Sequence, residues 1–233
     1  MQQEGLSIDD STLQSIPKNK PFISLFSGGK DSGLALSMVC EVAQPMALIH
    51  CMDRERSIHH KQSKETIEQQ ASSLNIPVVF HNNHWTKWPK LIKLFQHYKQ
   101  KGAEFVVYGD LLREDNAQLQ ITLCKSAGLI PCMPLWHIPY DILLDEMETR
   151  SITSIITVIK SSHIELHWLG KVFDRHAYKA FTNLEIDAFG EYGEFHTTLI
   201  NADIFKYPLK YQIREDDNGI INLKIINEVL NRE

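Results

Sequence analysis

The sequence lacks the features that mark several large functional classes. Its four cysteines form no Cys-x-x-Cys pair and show no metal-ligand spacing, which argues against a zinc site and favours buried, reduced thiols. No apolar run approaches the roughly 20 residues that a membrane-spanning helix requires, and the polar N-terminus does not resemble a signal peptide. We therefore expect a cytoplasmic protein with no membrane partner.

Positive charge is also scarce. The 24 lysines and arginines are outnumbered by 29 aspartates and glutamates, which gives a formal net charge of −5. This balance argues against a protein whose main task is to bind the nucleic-acid backbone. The sequence has no internal repeat and no low-complexity segment. Its 233 residues suffice for one large domain or two small ones with a buried core.

The most informative stretch lies between residues 22 and 39. An apolar, β-prone run ends abruptly in a turn of small residues, and helical character follows. A strand, a glycine loop and a helix in this order make an anion site, because the first N–H groups of the helix are unpaired and its dipole is positive there. The turn reads Ser27-Gly28-Gly29-Lys30-Asp31-Ser32.

Each residue type in this turn suits contact with phosphate. The two glycines let the backbone approach phosphate oxygens, and Ser27 and Ser32 add hydroxyl donors. Lys30 supplies a positive charge, and Asp31 is a candidate ligand for a Mg²⁺ ion held against the phosphates. The alternative is a helix-capping turn whose lysine is only solvated.

The turn does not match the Walker-type phosphate loop. That pattern needs a glycine five residues before its Gly-Lys pair and Ser or Thr directly after the lysine, whereas Ser24 and Asp31 stand at those positions. The turn instead resembles the pyrophosphate-binding loop of the ATP pyrophosphatases, or PP-loop enzymes. This resemblance implies cleavage of ATP between its α- and β-phosphates, adenylylation of an acceptor oxygen and release of pyrophosphate.

Apolar runs alternate with helical patterns through the first half of the chain. This alternation predicts an α/β fold with a doubly wound parallel sheet, and the PP-loop resemblance implies the adenine nucleotide alpha hydrolase-like type. Ligands of such sheets bind at the carboxyl ends of the strands. We therefore expect Ser27, Cys51-Met52 and Gly109-Asp110, which follow three predicted strands, to converge on ATP.

The regular alternation of apolar runs and helical patterns ends near residues 135–138, where we predict a domain boundary. Two alternating runs, 209–213 and 220–226, flank a turn at 216–219 and predict a β-hairpin. The predicted segments are an N-terminal extension at 1–20, an ATP-binding domain at 21–135 and a smaller α+β substrate domain at 136–233.

A second constellation lies at residues 190–198, where two carboxylates, one imidazole and two glycines occur together. A strand that begins at Glu194 would place Glu194, His196 and Thr198 on one face, with Glu191 in the glycine turn just ahead. Such a cluster suits binding of ammonium, removal of a proton from it, or neutralisation of a leaving group. The alternative is a solvated glycine turn that enters an amphipathic strand.

This segment resembles the Gly-Glu-x-Gly-Glu-Phe-His-Thr signature of the diphthine–ammonia ligase family. Pro134-Leu135-Trp136 and Trp168-Leu169-Gly170 match further marks of that family, and the motifs together cover about residues 22–206, without the C-terminal hairpin. The resemblance implies ATP-dependent amidation, in which a carboxylate is adenylylated and ammonia displaces AMP. The candidate catalytic residues are therefore Lys30, Glu191, Glu194 and His196.

Two positions depart from the family pattern and leave the acceptor open. Tyr192 stands where the family commonly has asparagine, and Phe189 where it has a small or cyclic residue. The acceptor carboxylate is then diphthine on an elongation factor or a small molecule. Two other functions also fit a PP-loop: modification of a tRNA base, which would call for a catalytic cysteine pair and a basic surface, and non-catalytic sensing of ATP or AMP. The sequence leaves formation of a homo-oligomer open.

Overall fold

A parallel sheet lies at the centre of the first half of the chain. A computed structural model describes residues 10–53, 56–57, 62–82, 88–215 and 221–225. The strands of this sheet are β1 (Pro21–Leu25), β2 (Gln44–Asp53), β3 (Arg56–Ser57), β4 (Val78–Asn82), β5 (Phe105–Val107) and β6 (Ile130–Cys132). Five strands run parallel in the order β4-β2-β1-β5-β6, and β3 pairs antiparallel with the end of β2. The order departs in both directions from β1, which confirms the predicted doubly wound sheet.

Helices cover both faces of this sheet. They are α1 (Asp10–Gln14), α2 (Lys30–Cys40), α3 (Lys64–Leu74), α4 (Trp88–Gln100) and α5 (Glu114–Ala127). On one face, Leu91 and Phe95 of α4 are spaced by about one helical turn and are fully buried in an apolar cluster. On the other face, Leu34 of α2 and Ala71 of α3 belong to a second cluster. None of the helices within the described ranges is both long and apolar enough to cross a membrane.

The second half of the chain forms a smaller antiparallel layer. Its elements are α6 (Tyr140–Thr149), β7 (Thr153–Ile159), a short 3-10 helix (Leu166–Trp168), α7 (Arg175–Phe181), β8 (Phe195–Asn201), β9 (Tyr211–Glu215) and β10 (Ile221–Ile225). β7 pairs with β8, and β9 pairs with β10 as the hairpin pattern predicts. The predicted hairpin turn at 216–219 lies outside the described residues.

One hydrophobic cluster continues from the first half into the second. It joins Leu34 and Phe105 with Phe189, Phe195 and Leu199, none of which is more than 2% exposed. The two halves therefore share a core. The division of the chain into domains stays a prediction.

Helix α1 lies within the segment predicted as an N-terminal extension. Leu13 is buried and its carbonyl accepts the N–H of Met133 at 2.7 Å, while the Gln14 side-chain amide donates to the carbonyl of Trp136 at 2.6 Å. Residues 10–14 are thus packed against the chain just after β6. Residues 1–9 lie outside the described ranges.

Candidate active site

The predicted phosphate loop joins the end of β1 to the start of α2. Gly28 has a φ of +82°, a left-handed conformation that favours glycine, and α2 begins directly after Gly29. The hydroxyls of Ser27 and Ser32 lie 3.0 Å apart, and Ser27 Oγ accepts the N–H of Gly29 at 3.3 Å. These contacts fold the loop back on itself at the positive end of the helix dipole, as an anion site requires.

Strand β8 is hydrogen-bonded directly to this loop. The N–H of Lys30 donates to Thr197 Oγ1 at 3.0 Å, and the N–H of Leu199 donates to the carbonyl of Gly28 at 2.8 Å. One N–H group of the first helical turn is therefore used within the protein. The second sequence motif and the phosphate loop consequently form one structure.

Two buried glutamines hold the same junction from the side of α3. The side-chain amide of Gln70 donates to the carbonyls of Gly28 at 2.9 Å and Leu199 at 2.7 Å, and that of Gln62 donates to the carbonyl of Thr197 at 3.1 Å. A Cβ atom at Gly28 would lie 2.5 Å from Gln62 Oε1 and 2.6 Å from Gln70 Oε1. Gly28 is therefore required both by its backbone angle and by the space around it.

The ammonium group of Lys30 lies in a cage formed by the second half of the chain. Lys30 Nζ is 2.8 Å from both carboxylate oxygens of Asp31. It also lies 4.4, 5.2 and 5.7 Å from the ring centroids of Phe189, Phe173 and Phe195, distances that give cation–π attraction. Burial raises the pKa of the Asp31 carboxyl, and the Lys30 ammonium opposes this shift.

Glu191 spans from the glycine turn to the loop that follows β5. Its Oε1 accepts the N–H groups of Leu111 at 3.1 Å and Leu112 at 3.2 Å. Burial raises the pKa of Glu191 to about 7, the negative charges of Asp31 and Asp110 add to this shift, and the two N–H groups oppose it. The predicted acceptor-site carboxylate therefore lies beside the phosphate loop and can exchange a proton near neutral pH.

Gly109 and Asp110 follow β5 at the same edge of the sheet. A Cβ atom at Gly109 would lie 2.7 Å from the Ser32 nitrogen and 2.8 Å from the Asp31 carbonyl carbon, so the missing side chain lets β5 end against the start of α2. Asp110 accepts a hydrogen bond from Gln120 at 2.7 Å, and burial raises the pKa of its carboxyl. The two predicted strand ends thus meet, and contact of these two residues with ATP stays a prediction.

We expect Gly109→Ala to destabilise the protein by about 3 kcal/mol, since rigid backbone atoms stand where the new methyl must go. Gly33→Ala is the matched control. The three atoms nearest to a Cβ there, the first at 2.6 Å, all belong to the Leu199 side chain, which yields more readily than backbone, and alanine raises the helix propensity of α2. Urea unfolding measures the stability of both variants. Equal losses of stability would show that the close backbone contact at Gly109 adds no cost of its own.

Glu194 and His196 occupy positions less directed at the loop. Glu194 Oε1 accepts the N–H of Asp187 at 3.2 Å and so closes the glycine turn, while its Oε2 is buried without a hydrogen-bond partner in the structure. His196 is 9% exposed, and its carbonyl lies 3.4 Å from Thr157 Oγ1 on β7. The contacts of β8 with the loop come from the Thr197 side chain and the backbone N–H of Leu199.

Cys51 and Met52 end the second parallel strand. Met52 is buried, and burial raises the pKa of the Cys51 thiol to about 12. Burial also raises the pKa of the thiols of Cys40, Cys124 and Cys132 to about 12. None of the four is therefore a reactive thiolate at neutral pH. Cys124 and Cys132 are buried as predicted from the sequence, whereas Cys40 and Cys51 are half-buried.

A Mg²⁺ ion fits this site in one way. Among the described residues, no group of three or more His, Cys, Asp or Glu side chains is arranged to hold a metal ion. Mg²⁺ is commonly bound by one or two carboxylates together with substrate phosphates, however, and needs no such cage. Asp31, whose side chain is 26% exposed beside the loop, would be the protein ligand in that mode.

Several residues of the site were not anticipated from the sequence. Asp187 organises the glycine turn: its Oδ1 accepts the N–H groups of Phe189 and Glu191, each at 3.0 Å. Gln70 could have been found, because it lies one turn after Ile67 on the apolar stripe of α3, where a buried amide needs partners. Phe195 and Thr197 belong to the sequence signature and Phe189 departs from the family pattern, but their contacts with Lys30 could not be predicted, since they join segments distant in sequence.

Two family models match consecutive parts of the chain. The model of the diphthamide synthase N-terminal domain matches residues 20–131, and that of the diphthamide synthase C-terminal domain matches residues 139–229. The second match extends over the hairpin β9–β10, beyond the last sequence motif. No curated protein matches the chain.

Seventeen chains of solved structures also match. One is described as the predicted subunit of tRNA methyltransferase from Methanocaldococcus jannaschii. It is 18% identical to this chain, the match covers 78% of this chain and 97% of that one, and the TM-score is 0.41.

Proposed function

The chain belongs to the diphthamide synthase family of PP-loop ATP pyrophosphatases, and from this premise we propose that it is an ATP-dependent amide ligase. The family implies use of ATP, typically with Mg²⁺. In our proposal the enzyme adenylylates a carboxylate with release of pyrophosphate and then forms an amide with ammonia. The acceptor that the family name indicates is diphthine, a modified histidine on a translation elongation factor.

One observation carries this proposal: the acceptor-site motif is built onto the phosphate loop. The bonds from Leu199 to Gly28 and from Lys30 to Thr197 leave no gap between the two motifs. A mixed anhydride formed at the loop would therefore lie within reach of the glycine turn that holds Glu191. Proximity of this kind supplies much of the acceleration in a two-substrate reaction.

The chemistry divides into two steps. A carboxylate oxygen of the acceptor attacks the α-phosphorus of ATP, and pyrophosphate leaves with the electron pair of the bridging bond. The ammonia nitrogen then attacks the acyl carbon and loses a proton to solvent, and AMP leaves with the electron pair of the broken C–O bond. Glu191, with its pKa raised to about 7, accepts the proton that ammonium must lose before its nitrogen can attack. The start of α2 stabilises the negative charge that collects on the phosphates.

Isotope exchange between ATP and pyrophosphate tests the first step, and AMP release tests the second. We expect exchange to require the acceptor and Lys30 but not ammonium, and AMP release to require ammonium as well. Lys30→Ala and Glu194→Gln are compared with the exposed-site variant Glu185→Gln across a panel of carboxylates and a diphthine-bearing factor. Formation of ADP, or tight ATP binding without any product, would contradict the ligase and favour a nucleotide sensor.

A further inference from the structure

The side chain of Lys30 is much less exposed than that of the neighbouring Asp31. The side chain of Lys30 is 4% exposed, whereas that of Asp31 is 26% exposed. The backbone N–H of Lys30 is bonded to Thr197, and its ammonium group is enclosed by Asp31 and three phenyl rings. Both polar groups of Lys30 are thus engaged by other residues within the described part of the chain.

We propose that Lys30 is a positioning residue, which acts on the nucleotide through Asp31 and is itself held in place by Phe189. This inference rests on the proposed function, since it assumes that the loop binds ATP. It changes the role that the sequence suggests for the lysine, which is direct contact with phosphate. Asp31, with both of its oxygens held by Lys30 at 2.8 Å, would instead meet the nucleotide through the Mg²⁺ ion for which it is the candidate ligand.

Phe189 is the best-supported wall of the cage. Its ring is the nearest of the three to Lys30 Nζ and stacks on Tyr140 with centroids 4.6 Å apart and planes 14° apart. The Tyr140 hydroxyl donates to Asp187 Oδ2 at 2.5 Å, and Asp187 Oδ1 accepts the N–H of Phe189 at 3.0 Å. Ring and backbone are therefore anchored to the same carboxylate, which also organises the turn carrying Glu191.

The position of all three rings in the second half of the chain has a functional consequence. Phe173, Phe189 and Phe195 each come from a different segment of that half, yet they enclose a side chain of the phosphate loop. Through Lys30, the second half of the chain thereby sets the orientation of Asp31 in the nucleotide site.

A double-mutant cycle separates the two possible roles of Lys30. The variants are Lys30→Met, Asp31→Asn and the combination, measured by urea unfolding and by calorimetric binding of ATP in EDTA and in Mg²⁺. We expect the double variant to unfold at higher urea than either single one, because removing half of a buried ion pair costs more than removing both halves. We expect Asp31→Asn and the double variant to bind ATP with the same Kd within about twofold.

A further weakening of about tenfold or more in the double variant, in EDTA, would show that Lys30 contacts the phosphates directly and would overturn the proposal. Lys30→Arg gives a second reading if Asp31→Asn does not fold. Arginine keeps a positive charge that could contact phosphate, but its larger, planar guanidinium changes the geometry of the ion pair with Asp31, so we expect ATP binding to fall about as far as in Lys30→Met. Absence of ATP binding in the wild type would instead refute the proposed function.

Phe189→Leu tests the cage, with Phe181→Leu as its matched control. Phe181 is equally buried and its ring contacts Phe195, but it makes no contact with Lys30 among those recorded in the structure. We expect both variants to lose stability, and only Phe189→Leu to weaken ATP binding, by about tenfold; Phe189→Tyr keeps an aromatic face and restores it. Equal effects of the two leucine variants on the Kd would show that Phe189 is only a core residue.

Discussion

Glu191→Gln is expected to make the protein more stable at pH 8 and to slow amide formation by a factor on the order of 10²–10⁴. Both effects come from the same buried carboxyl. The pKa of Glu191 is raised from 4.5 to about 7, first by burial and then by the charges of Asp31 and Asp110. The folded protein therefore holds a proton on Glu191 at pH values where the unfolded chain has lost it.

The sign of the stability effect follows from this difference in bound protons. Between about pH 4.5 and pH 7 the folded state binds more protons than the unfolded state, so the contribution of Glu191 to the free energy of unfolding falls as the pH rises. The total loss is on the order of 2–3 kcal/mol and is complete above the folded pKa. Glutamine keeps an oxygen for the N–H groups of Leu111 and Leu112 and carries no charge, so the variant escapes the loss.

Urea unfolding of both proteins from pH 5 to pH 8.5 measures this effect. The two stability curves should approach one another at low pH and separate as the pH rises, while the exposed-site control Glu185→Gln should follow the wild type. Hydroxylamine, a nucleophile that is already uncharged at neutral pH, should restore turnover to Glu191→Gln if the carboxylate serves only to deprotonate ammonium. Parallel stability curves would contradict the raised pKa, and no rescue would contradict the role as a base.

Much of the fold could be read from the sequence because each core strand is a short apolar run followed by an amphipathic pattern. The three strands predicted before Ser27, around Cys51-Met52 and before Gly109 are β1, β2 and β5, and the predicted runs at 209–213 and 220–226 correspond to β9 (Tyr211–Glu215) and β10 (Ile221–Ile225). The family resemblance and the doubly wound sheet are confirmed. β3 and the 3-10 helix at Leu166–Trp168 were missed, since neither contains enough residues to show a hydrophobic period.

The part of the site formed by consecutive residues could be predicted from the sequence, whereas the part formed by packing of β8 against the phosphate loop could not. The residues of the phosphate loop are consecutive, so their types and spacing identify them. The period of β8 was also predicted correctly. The sequence could not tell which face of β8 meets the loop, and the expectation centred on Glu194 and His196, whereas Thr197 and Leu199 make the contacts. For the same reason, the sequence could not show that the Lys30 ammonium group is enclosed by phenyl rings from the second half of the chain.

Gly28→Ala is expected to cost at least about 3 kcal/mol of stability and to abolish ATP binding. Two effects combine at this residue. The φ of +82° is unfavourable for alanine, and the new methyl would lie 2.5 Å from Ile67 Cδ1 and Gln62 Oε1 and 2.6 Å from Gln70 Oε1. The glutamines cannot turn away freely, because Gln62 is bonded to the carbonyl of Thr197 in β8 and Gln70 to that of Gly28 in the loop.

Gly128→Ala separates these two effects. Gly128 has a φ of +72° at the end of α5, similar to that of Gly28, but a Cβ there meets nothing within 4 Å. Its variant should therefore lose only the backbone term, about 1–2 kcal/mol, and should bind ATP like the wild type. Urea unfolding and calorimetric ATP titration of both variants decide the matter. Equal stability losses with ATP binding intact would mean that the loop tolerates a side chain, and that the glutamine contacts do not fix the conformation on which the proposed activity depends.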